Sequence, residues 1–369
     1  MQKTIYLHIG YFKTGSTSIQ FLLSQNYKRL LKKGVLYPKT GRRGYKGQHH
    51  SAIPLLMCVK AGLHCPPWFK NSFSLKADPE VLIKKLVSEI DSFAGDTVVL
   101  SSEEFVRLGV AEGQAHLSRL RKYLDKYEIK IVCYIRRQDD YIESMYNEIV
   151  KCGGVPVNIS ENGGKPFLGG FHDYHKCLSI WSEIFGKNNI IMRIFDKESL
   201  PHGVSVDFAD ILQIDDIETL KEIRMNPRID NKYVEVMRLC NQKARNKREL
   251  EAVRDFFSNL THQEQENISR QKYRLLSLDQ RKQILEYYKK CNRCMGKTFF
   301  QSKEGIFNDI AESTHLDINN RDAENEMMQY WESIKDSKYY NNAPFLKSFN
   351  SFVYVYSLYK KAVSHFFST

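Results

Sequence analysis

The chain has 369 residues, a net charge of +12 and a hydrophobic fraction of 42%, enough for the core of one large domain or two modest ones. It contains no run of 18 apolar residues, which excludes a predicted membrane-spanning helix, and its eight cysteines are scattered rather than clustered as in a secreted disulfide scaffold. The N-terminus also lacks the pattern of a signal peptide, so the sequence predicts a cytoplasmic protein.

The positive charge is concentrated at the start of the chain. Residues 1–77 contain thirteen Lys or Arg and no Asp or Glu, whereas the remaining residues carry 42 basic and 43 acidic side chains. A long segment without a carboxylate indicates a focused positive potential that attracts an anionic ligand. A polyanionic nucleotide and a nucleic acid are both candidates at this point.

Apolar runs typical of strands alternate with segments typical of helices. The predicted strands are residues 5–9, 35–37, 97–101, 131–135 and 190–195. The predicted helices are residues 18–33, 79–93, 115–126 and 140–152. Most of the strands are continuously apolar, as expected for parallel strands that are covered on both faces. This order predicts an α/β fold with a doubly wound parallel sheet flanked by helices.

The first predicted strand runs into a loop of glycine and hydroxyl residues, residues 10–18, and then into a helix. Such a loop forms a cradle for anions, because backbone N–H groups and the helix dipole point at the same place. Gly10 and Gly15 have the spacing of the Walker A motif, but Ser16 occupies the lysine position and Lys13 lies inside the loop. This shift argues against a P-loop kinase, which stays as an alternative.

Residues 8–20 resemble the 5′-phosphosulfate-binding loop of sulfotransferases that use 3′-phosphoadenosine 5′-phosphosulfate (PAPS), especially the bacterial glycan sulfotransferase-like branch. The resemblance implies a P-loop-like sheet, PAPS as co-substrate, 3′-phosphoadenosine 5′-phosphate (PAP) as product, and no metal. It implies that Lys13 contacts the bridging oxygen and the sulfuryl group. The residues implied to bind the 5′-phosphate are Thr14, Gly15, Ser16, Thr17 and Ser18. A lysine there would offset the charge that develops on the leaving phosphate.

A second motif is similar to the 3′-phosphate site of the same family. In that motif an arginine ends a strand and a serine follows eight residues later, which matches Arg136 and Ser144. Both would lie near the carboxyl edge of the sheet, where ligands of open α/β folds bind. Arg137 and Gln138 replace the commoner Asn/Asp-Pro pair, as in a variant of the bacterial branch, and the role of Arg137 stays open.

Softer similarities extend the resemblance over residues 1–310, within which residues 215–290 are expected to form a mainly helical subdomain. Residues 311–369 are expected to be a C-terminal extension. In it, an acidic connecting segment (residues 309–336) leads to an amphipathic helix. The aromatic stripe of that helix comprises Phe345, Phe349, Phe352, Tyr356, Tyr359 and Phe366. The stripe either docks on the body of the protein or makes a peripheral contact with a membrane or a second copy.

Transfer to a hydroxyl requires a general base in line with the leaving phosphate. Glu103 follows the strand at residues 97–101 and is one candidate, although an acid at this position also suits a helix N-terminus. His49 and His50, in a loop after a basic stretch, are the rival candidates. The base stays open between them.

The resemblance also predicts the acceptor, and the number of possible ligand side chains bears on whether a metal is bound. The resemblance implies a carbohydrate hydroxyl, on a glycan or a glycolipid. No metal site is predicted, because His49 and His50 have no further ligand nearby and Cys291 and Cys294 form a single pair. A basic nucleic-acid-binding protein remains the alternative from another class, but no recognised motif supports a nucleic-acid partner.

Overall fold

A computed structural model describes most of the chain. The described residues are 2–44, 47–63, 65, 69, 77–165, 168, 172–214, 229–265, 272–302, 305–308, 310, 315–317 and 320–336. The aromatic stripe predicted near the C-terminus lies outside them. No helix among these residues is long and apolar enough to span a bilayer.

A five-stranded, all-parallel sheet forms the centre of the fold, in the order β2-β3-β1-β4-β5. Its strands are β1 (Thr4–His8), β2 (Val35–Leu36), β3 (Thr97–Ser101), β4 (Glu128–Ile135) and β5 (Ile190–Ile194). β1 lies in the middle, with His8 level with Ser101 of β3 and with Val132 of β4. The predicted α/β fold with a P-loop-like parallel sheet is therefore confirmed.

Helices cover the sheet and extend beyond it. Those of the first part are α1 (Ser16–Gln25), α2 (Tyr27–Lys32), α3 (Ala52–Lys60), α4 (Pro79–Ser92), α5 (Ala111–Tyr123), α6 (Gln138–Lys151), α7 (Ile159–Asn162), α8 (Tyr174–Phe185) and α9 (Val204–Ile211). Within the described part of the chain, 3-10 turns lie at Glu103–Leu108 and Lys187–Asn189. After α9 come α10 (Asn231–Lys243), α11 (Lys247–Gln265), β6 (Lys272–Arg274), α12 (Leu278–Met295), a π-helical turn (Gly296–Phe300), β7 (His315–Asp317) and α13 (Asn320–Asp336).

Both faces of the sheet are buried, which explains its continuously apolar strands. On one face, Leu7 of β1 and Ile131 of β4 pack in a cluster with α3, α4, α5 and α8. On the other face, Val132 of β4 packs with Leu23 of α1 and Phe208 of α9. The parallel register of β1 with β3 and β4 brings the carboxyl ends of these strands to one edge of the sheet.

Two helices differ from their predicted bounds. The helix expected over residues 18–33 divides into α1 and α2 at Asn26, whose side-chain amide donates to the carbonyl of Leu22 at 2.9 Å and competes with the helical pattern. The helix expected over residues 115–126 is α5, which begins and ends earlier. Gly113 in its first turn lies against the preceding 3-10 turn, where a Cβ would be 2.2 Å from the carbonyl oxygen of Leu108.

The later helices form a second apolar cluster on one side of α6. Tyr146 of α6, Met237 of α10, Phe257 of α11 and Ile284 of α12 are among its buried members. The segment expected to connect at residues 309–336 differs from that expectation, because it contains β7 and α13. β7 pairs with β6, and Ile334 of α13 is buried in the same cluster.

Candidate functional site

The loop between β1 and α1 folds back on itself and is closed by Thr14. Its hydroxyl donates to the carbonyl of Tyr11 at 2.7 Å, and the Tyr11 N–H donates to the same hydroxyl at 3.4 Å. Gly10, Lys13 and Gly15 have φ values of +64°, +62° and +81°, the left-handed region that allows so tight a turn. The buried Thr14 therefore stabilises the tight turn of the loop with its side chain.

The loop leads into the N-terminus of α1, which Gly15 caps in a left-handed conformation. Ser16 is buried and its hydroxyl donates to the carbonyl of Tyr11 at 3.5 Å, while Thr17 is exposed and Ser18 is half-buried. The first N–H groups of a helix have no carbonyl partner in the preceding turn. The accessible Thr17 and Ser18 and these N–H groups can hold an oxyanion at the start of α1.

Gly10 places the loop directly against Glu103. A Cβ on Gly10 would lie 2.8 Å from the Cα of Glu103, so only glycine allows this approach. The Ser102 N–H donates to the carbonyl of His8 at 3.1 Å, which ties the end of β3 to the end of β1. The loop and Glu103 thus share the carboxyl edge of the sheet.

The side chain of Glu103 is oriented by α1. Gln20 donates its amide N–H to Glu103 Oε2 at 2.7 Å, and Glu103 is half-buried. The neighbouring Glu104 is buried and forms an ion pair with Arg107, and its pKa is raised by burial even though Arg107 lowers it. The two neighbouring glutamates therefore differ in position: Glu103 adjoins the loop, and Glu104 is part of the core.

Lys13 has an ion-pair partner that sequence reasoning missed. Its Nζ lies 2.8 Å from Glu148 Oε2 of α6, and the two side chains are 31% and 14% exposed. The phosphate-binding motifs of the sequence gave no signal for Glu148, because it lies 135 positions after Lys13 and the two residues meet only in the folded chain. In this pairing, the Glu148 carboxylate neutralises the ammonium charge that Lys13 would otherwise offer to an anion.

Arg136 and the loop contact the same aromatic ring. Arg136 directly follows β4, and its guanidinium carbon lies 5.8 Å from the centroid of the Phe195 ring. Phe195 Cε2 would lie 2.9 Å from a Cβ on Gly15. A second cation therefore stands beside the start of α1, at the same edge of the sheet as Lys13.

Ser144 and Glu148 lie one turn apart on α6 and therefore on one face of it. Ser144 is 4% exposed. The tyrosine hydroxyl of Tyr174 donates to the carbonyl of Arg136 at 2.6 Å and fixes the chain where it enters α6. The structure brings Arg136 to the start of this helix and Ser144 to its second turn.

Arg137, whose role the sequence left open, is held by its own helix. Its guanidinium donates to both carboxylate oxygens of Asp139, at 2.8 and 3.1 Å, and to the carbonyl of Asn308 at 3.2 Å. Asp139 is fully buried and also accepts from Arg281 at 2.8 Å. Arg137 thus anchors the start of α6 to the later helices, whereas Arg136 faces Phe195.

The two histidines proposed as a base have different surroundings. His50 is fully buried; its Nε2 lies 2.8 Å from the carbonyl of Pro38, and its Nδ1 accepts from the Ser101 N–H at 3.2 Å. Burial lowers the pKa of His50 to about 3. Both ring nitrogens therefore serve the main chain, and this geometry opposes the expectation that His50 accepts a proton from a substrate.

His49 lies next to it on a short antiparallel bridge with Arg43, with N–O distances of 2.6 and 3.1 Å. Its Nδ1 is buried and has no hydrogen-bond partner within the described ranges. The bridge thus joins the main chain of Arg43 to that of His49. No contact joins His49 to Lys13 or Glu103 in the hydrogen bonds of the described chain.

Within the described residues, no group of three or more His, Cys, Asp or Glu side chains has the arrangement of a metal site. Cys291 and Cys294 are both free thiols on α12.

Comparisons with known proteins give few matches. No protein-family model matches the chain. A protein of Archaeoglobus fulgidus, described only as uncharacterized, is 31% identical over 209 residues, which are 56% of this chain and 54% of that protein. The chain thus spans about half the length of this relative. The crystal structure of a sulfotransferase from Alicyclobacillus acidocaldarius matches over 69% of this chain and 97% of its own, with 14% identity and a TM-score of 0.38. A likeness at that level does not bear on the activity of this chain.

Proposed function

We propose that the chain is a PAPS-dependent sulfotransferase. The observation that carries the proposal is the pair of cations at neighbouring strand ends: Lys13 in the loop after β1 and Arg136 at the end of β4. Phe195, which adjoins both Arg136 and Gly15, keeps the second cation close to the start of α1. Two anion sites at one sheet edge suit a nucleotide with phosphate groups at both its 3′ and 5′ positions.

Each residue then has a specific role. The main chain from Thr14 to Thr17 binds the 5′-phosphate at the start of α1, with the hydroxyls of Thr17 and Ser18 as further donors, since the Ser18 N–H already donates to the carbonyl of Gly15. Lys13 offsets the charge on the leaving phosphate as transfer proceeds. Arg136 and Ser144 bind the 3′-phosphate, and Arg136 supplies the charge for this contact. Serine at position 16 supports this reading over a kinase, which needs the lysine there.

Glu103 is the general base in this proposal. The acceptor oxygen attacks the sulfur, the bond from sulfur to the 5′-phosphate oxygen breaks, and the acceptor proton passes to the Glu103 carboxylate. The contact of Gly10 with Glu103 and the bond from Gln20 support the choice, because they hold this carboxylate beside the loop. The occupied ring nitrogens of His50 support Glu103 as well.

We take the acceptor to be a carbohydrate hydroxyl of a glycan or a glycolipid, on the resemblance of the two nucleotide motifs to the bacterial branch. Contact with a membrane through the aromatic stripe at residues 345–366 belongs to the same proposal. A screen of candidate glycans with PAPS labelled in the sulfur tests the acceptor class. Label transfer to proteins or nucleosides instead of glycans would contradict it.

Nucleotide titration tests the reaction class. Calorimetry with PAP, ATP and ATP–Mg²⁺ should show the tightest binding for PAP and no requirement for Mg²⁺. Tighter binding of ATP–Mg²⁺ would favour the kinase alternative. A salt-dependent affinity for DNA or RNA that PAP does not displace would favour the nucleic-acid-binding alternative.

A further inference from the structure

Two lysines and one carboxylate share the space beside the loop. Lys13 reaches over from the loop and pairs with Glu148 at 2.8 Å. The other oxygen of Glu148 lies 3.8 Å from the thiol of Cys152. Lys151 follows Glu148 by three residues on the same helix and is only 7% exposed. A largely buried carboxylate is thus surrounded by donors from the loop and from its own helix.

Both lysines act on Glu148. Burial alone would raise the pKa of this carboxyl, but the charges of Lys13 and Lys151 outweigh it and hold the pKa below its usual range. Burial lowers the pKa of Lys151, and Glu148 opposes that change. The carboxylate therefore stabilises two ammonium groups, of which one belongs to the proposed phosphosulfate site and the other does not.

The pairing restricts what Lys13 can do. An ammonium group that donates to Glu148 has to leave this partner before it can approach a phosphosulfate group, and the carboxylate that stays behind needs another cation. Lys151 lies three residues further along α6, a spacing that puts two side chains on one face of a helix, and its charge already lowers the pKa of Glu148. Ser144 lies one turn before Glu148, so the same helix carries a proposed nucleotide contact and the partner of Lys13.

We propose that Glu148 is a positioning residue that holds Lys13 while no nucleotide is bound and pairs with Lys151 once a phosphosulfate group takes Lys13. The proposal rests on the sulfotransferase function proposed above and deepens it. Glu148 sets the affinity of the site for the nucleotide, because part of the binding free energy is used to separate Lys13 from Glu148. It also keeps Lys13 in one place, beside the loop, before the nucleotide arrives.

Chemical labelling of the nucleotide-free protein tests the first part of the proposal, that Glu148 holds Lys13 while no nucleotide is bound. The rate at which an acylating reagent modifies Lys13, followed by mass spectrometry, should rise about threefold or more in Glu148→Gln, because the ion pair no longer protects the amine. Lys28 on α2, which is exposed, is the internal control and should react at an unchanged rate. An unchanged rate at Lys13 would overturn the pairing, whatever the protein binds.

Titration with PAP tests the second part of the proposal, that nucleotide binding separates Lys13 from Glu148. Glu148→Gln should bind PAP about three- to fivefold more tightly than the wild type, the range of a partly buried ion pair. Glu148→Asp keeps the negative charge but shortens the side chain, and should show most of the same gain. If Glu148→Asp binds PAP with wild-type affinity while Glu148→Gln binds it more tightly, then the negative charge at position 148 acts by repelling the nucleotide. In that case the proposal is wrong.

The role of Lys151 needs a double-mutant cycle. Lys151→Met should weaken PAP binding by about the same three- to fivefold, since Glu148 then has Lys13 as its main cation, and should have little effect in Glu148→Gln. An equal loss of PAP affinity in both backgrounds would contradict the exchange of partners.

Thermal unfolding of each variant separates misfolding from loss of binding. If the wild type binds no PAP, the sulfotransferase function fails, and the labelling result still decides whether Glu148 holds Lys13.

Discussion

Gly10 lies so close to Glu103 that a Cβ on the glycine would be 2.8 Å from the Cα of the glutamate. Two independent features therefore favour glycine at this position: a φ of +64° and the lack of space for a side chain. The contact sets the distance between the loop that holds Lys13 and the proposed base. The proposed function therefore depends on a residue without a side chain.

Gly10→Ala should displace the loop from Glu103 and lower turnover by more than about tenfold, at a stability cost of about 1–3 kcal/mol from backbone strain and the clash. Gly34→Ala is the matched control. Gly34 has a φ of +76°, but nothing lies within 4 Å of the position of its Cβ. The Gly34→Ala variant should lose stability from backbone strain but keep wild-type turnover. Equal turnover in both variants would show that the Gly10–Glu103 contact does not matter for the reaction.

Lys13→Ala should lower turnover by more than about a hundredfold and weaken PAP binding by about tenfold or less. The physical reason is that the lysine charge acts chiefly as charge develops on the leaving phosphate. Steady-state kinetics and calorimetry measure the two effects separately, with Lys28→Ala as a control for the loss of one positive charge. A loss confined to PAP affinity would assign Lys13 to ground-state binding.

Glu103→Gln should abolish most turnover and leave PAP binding intact, because it keeps the size of the side chain but removes its basicity. His49→Asn should cost less, and mainly in acceptor affinity. A Glu103→Gln enzyme with nearly wild-type turnover would remove Glu103 as the base, and a larger loss in His49→Asn would move that role to the histidine.

The stability of the protein should fall as the pH is lowered from about 7 towards about 3. A histidine in the unfolded chain has a pKa of about 6.5, whereas burial lowers the pKa of His8 and of His50 to about 3. Between these values the unfolded chain binds protons that the folded chain does not, so acid favours unfolding. Denaturant titrations at several pH values measure this slope.

His50→Asn should make that slope shallower, because one of the two histidines whose pKa burial lowers to about 3 is removed. His202→Asn, at an exposed position, should leave the slope unchanged. The same slope in His50→Asn and the wild type would show that His50 titrates normally in the folded protein, and it would reopen its candidacy as the base.

The sequence allowed the sheet to be predicted because the strand pattern is local. The ends of parallel strands gather at one edge, so Lys13, Glu103 and Arg136 could be placed there from their positions after the strands. The pairing of Lys13 with Glu148 could not be predicted, because the two residues are 135 positions apart and meet only through the path of α6. The burial of His50 could not be predicted either, because its partners Pro38 and Ser101 come from two separate segments of the chain.

The C-terminal part shows a similar limit. The composition of residues 309–336 is acidic and polar, which is typical of a connecting segment. One apolar face is nevertheless enough for α13 to pack through Trp331 and Ile334 against α10 and α11. The boundary predicted at residue 310 therefore separates elements that contact each other, and it stays a prediction.

The most direct measurement of the central claim compares PAP with AMP, which differs from it only in lacking the 3′-phosphate, in the wild type and in Arg136→Ala. Calorimetry should give a wild-type affinity for PAP that exceeds that for AMP by about 30- to 100-fold, the contribution of a charge-assisted contact to phosphate. In Arg136→Ala the affinity for PAP should fall to near that for AMP, while the affinity for AMP stays the same. Equal affinity of the wild type for PAP and AMP would contradict the account, because the site would then have no means of recognising PAPS.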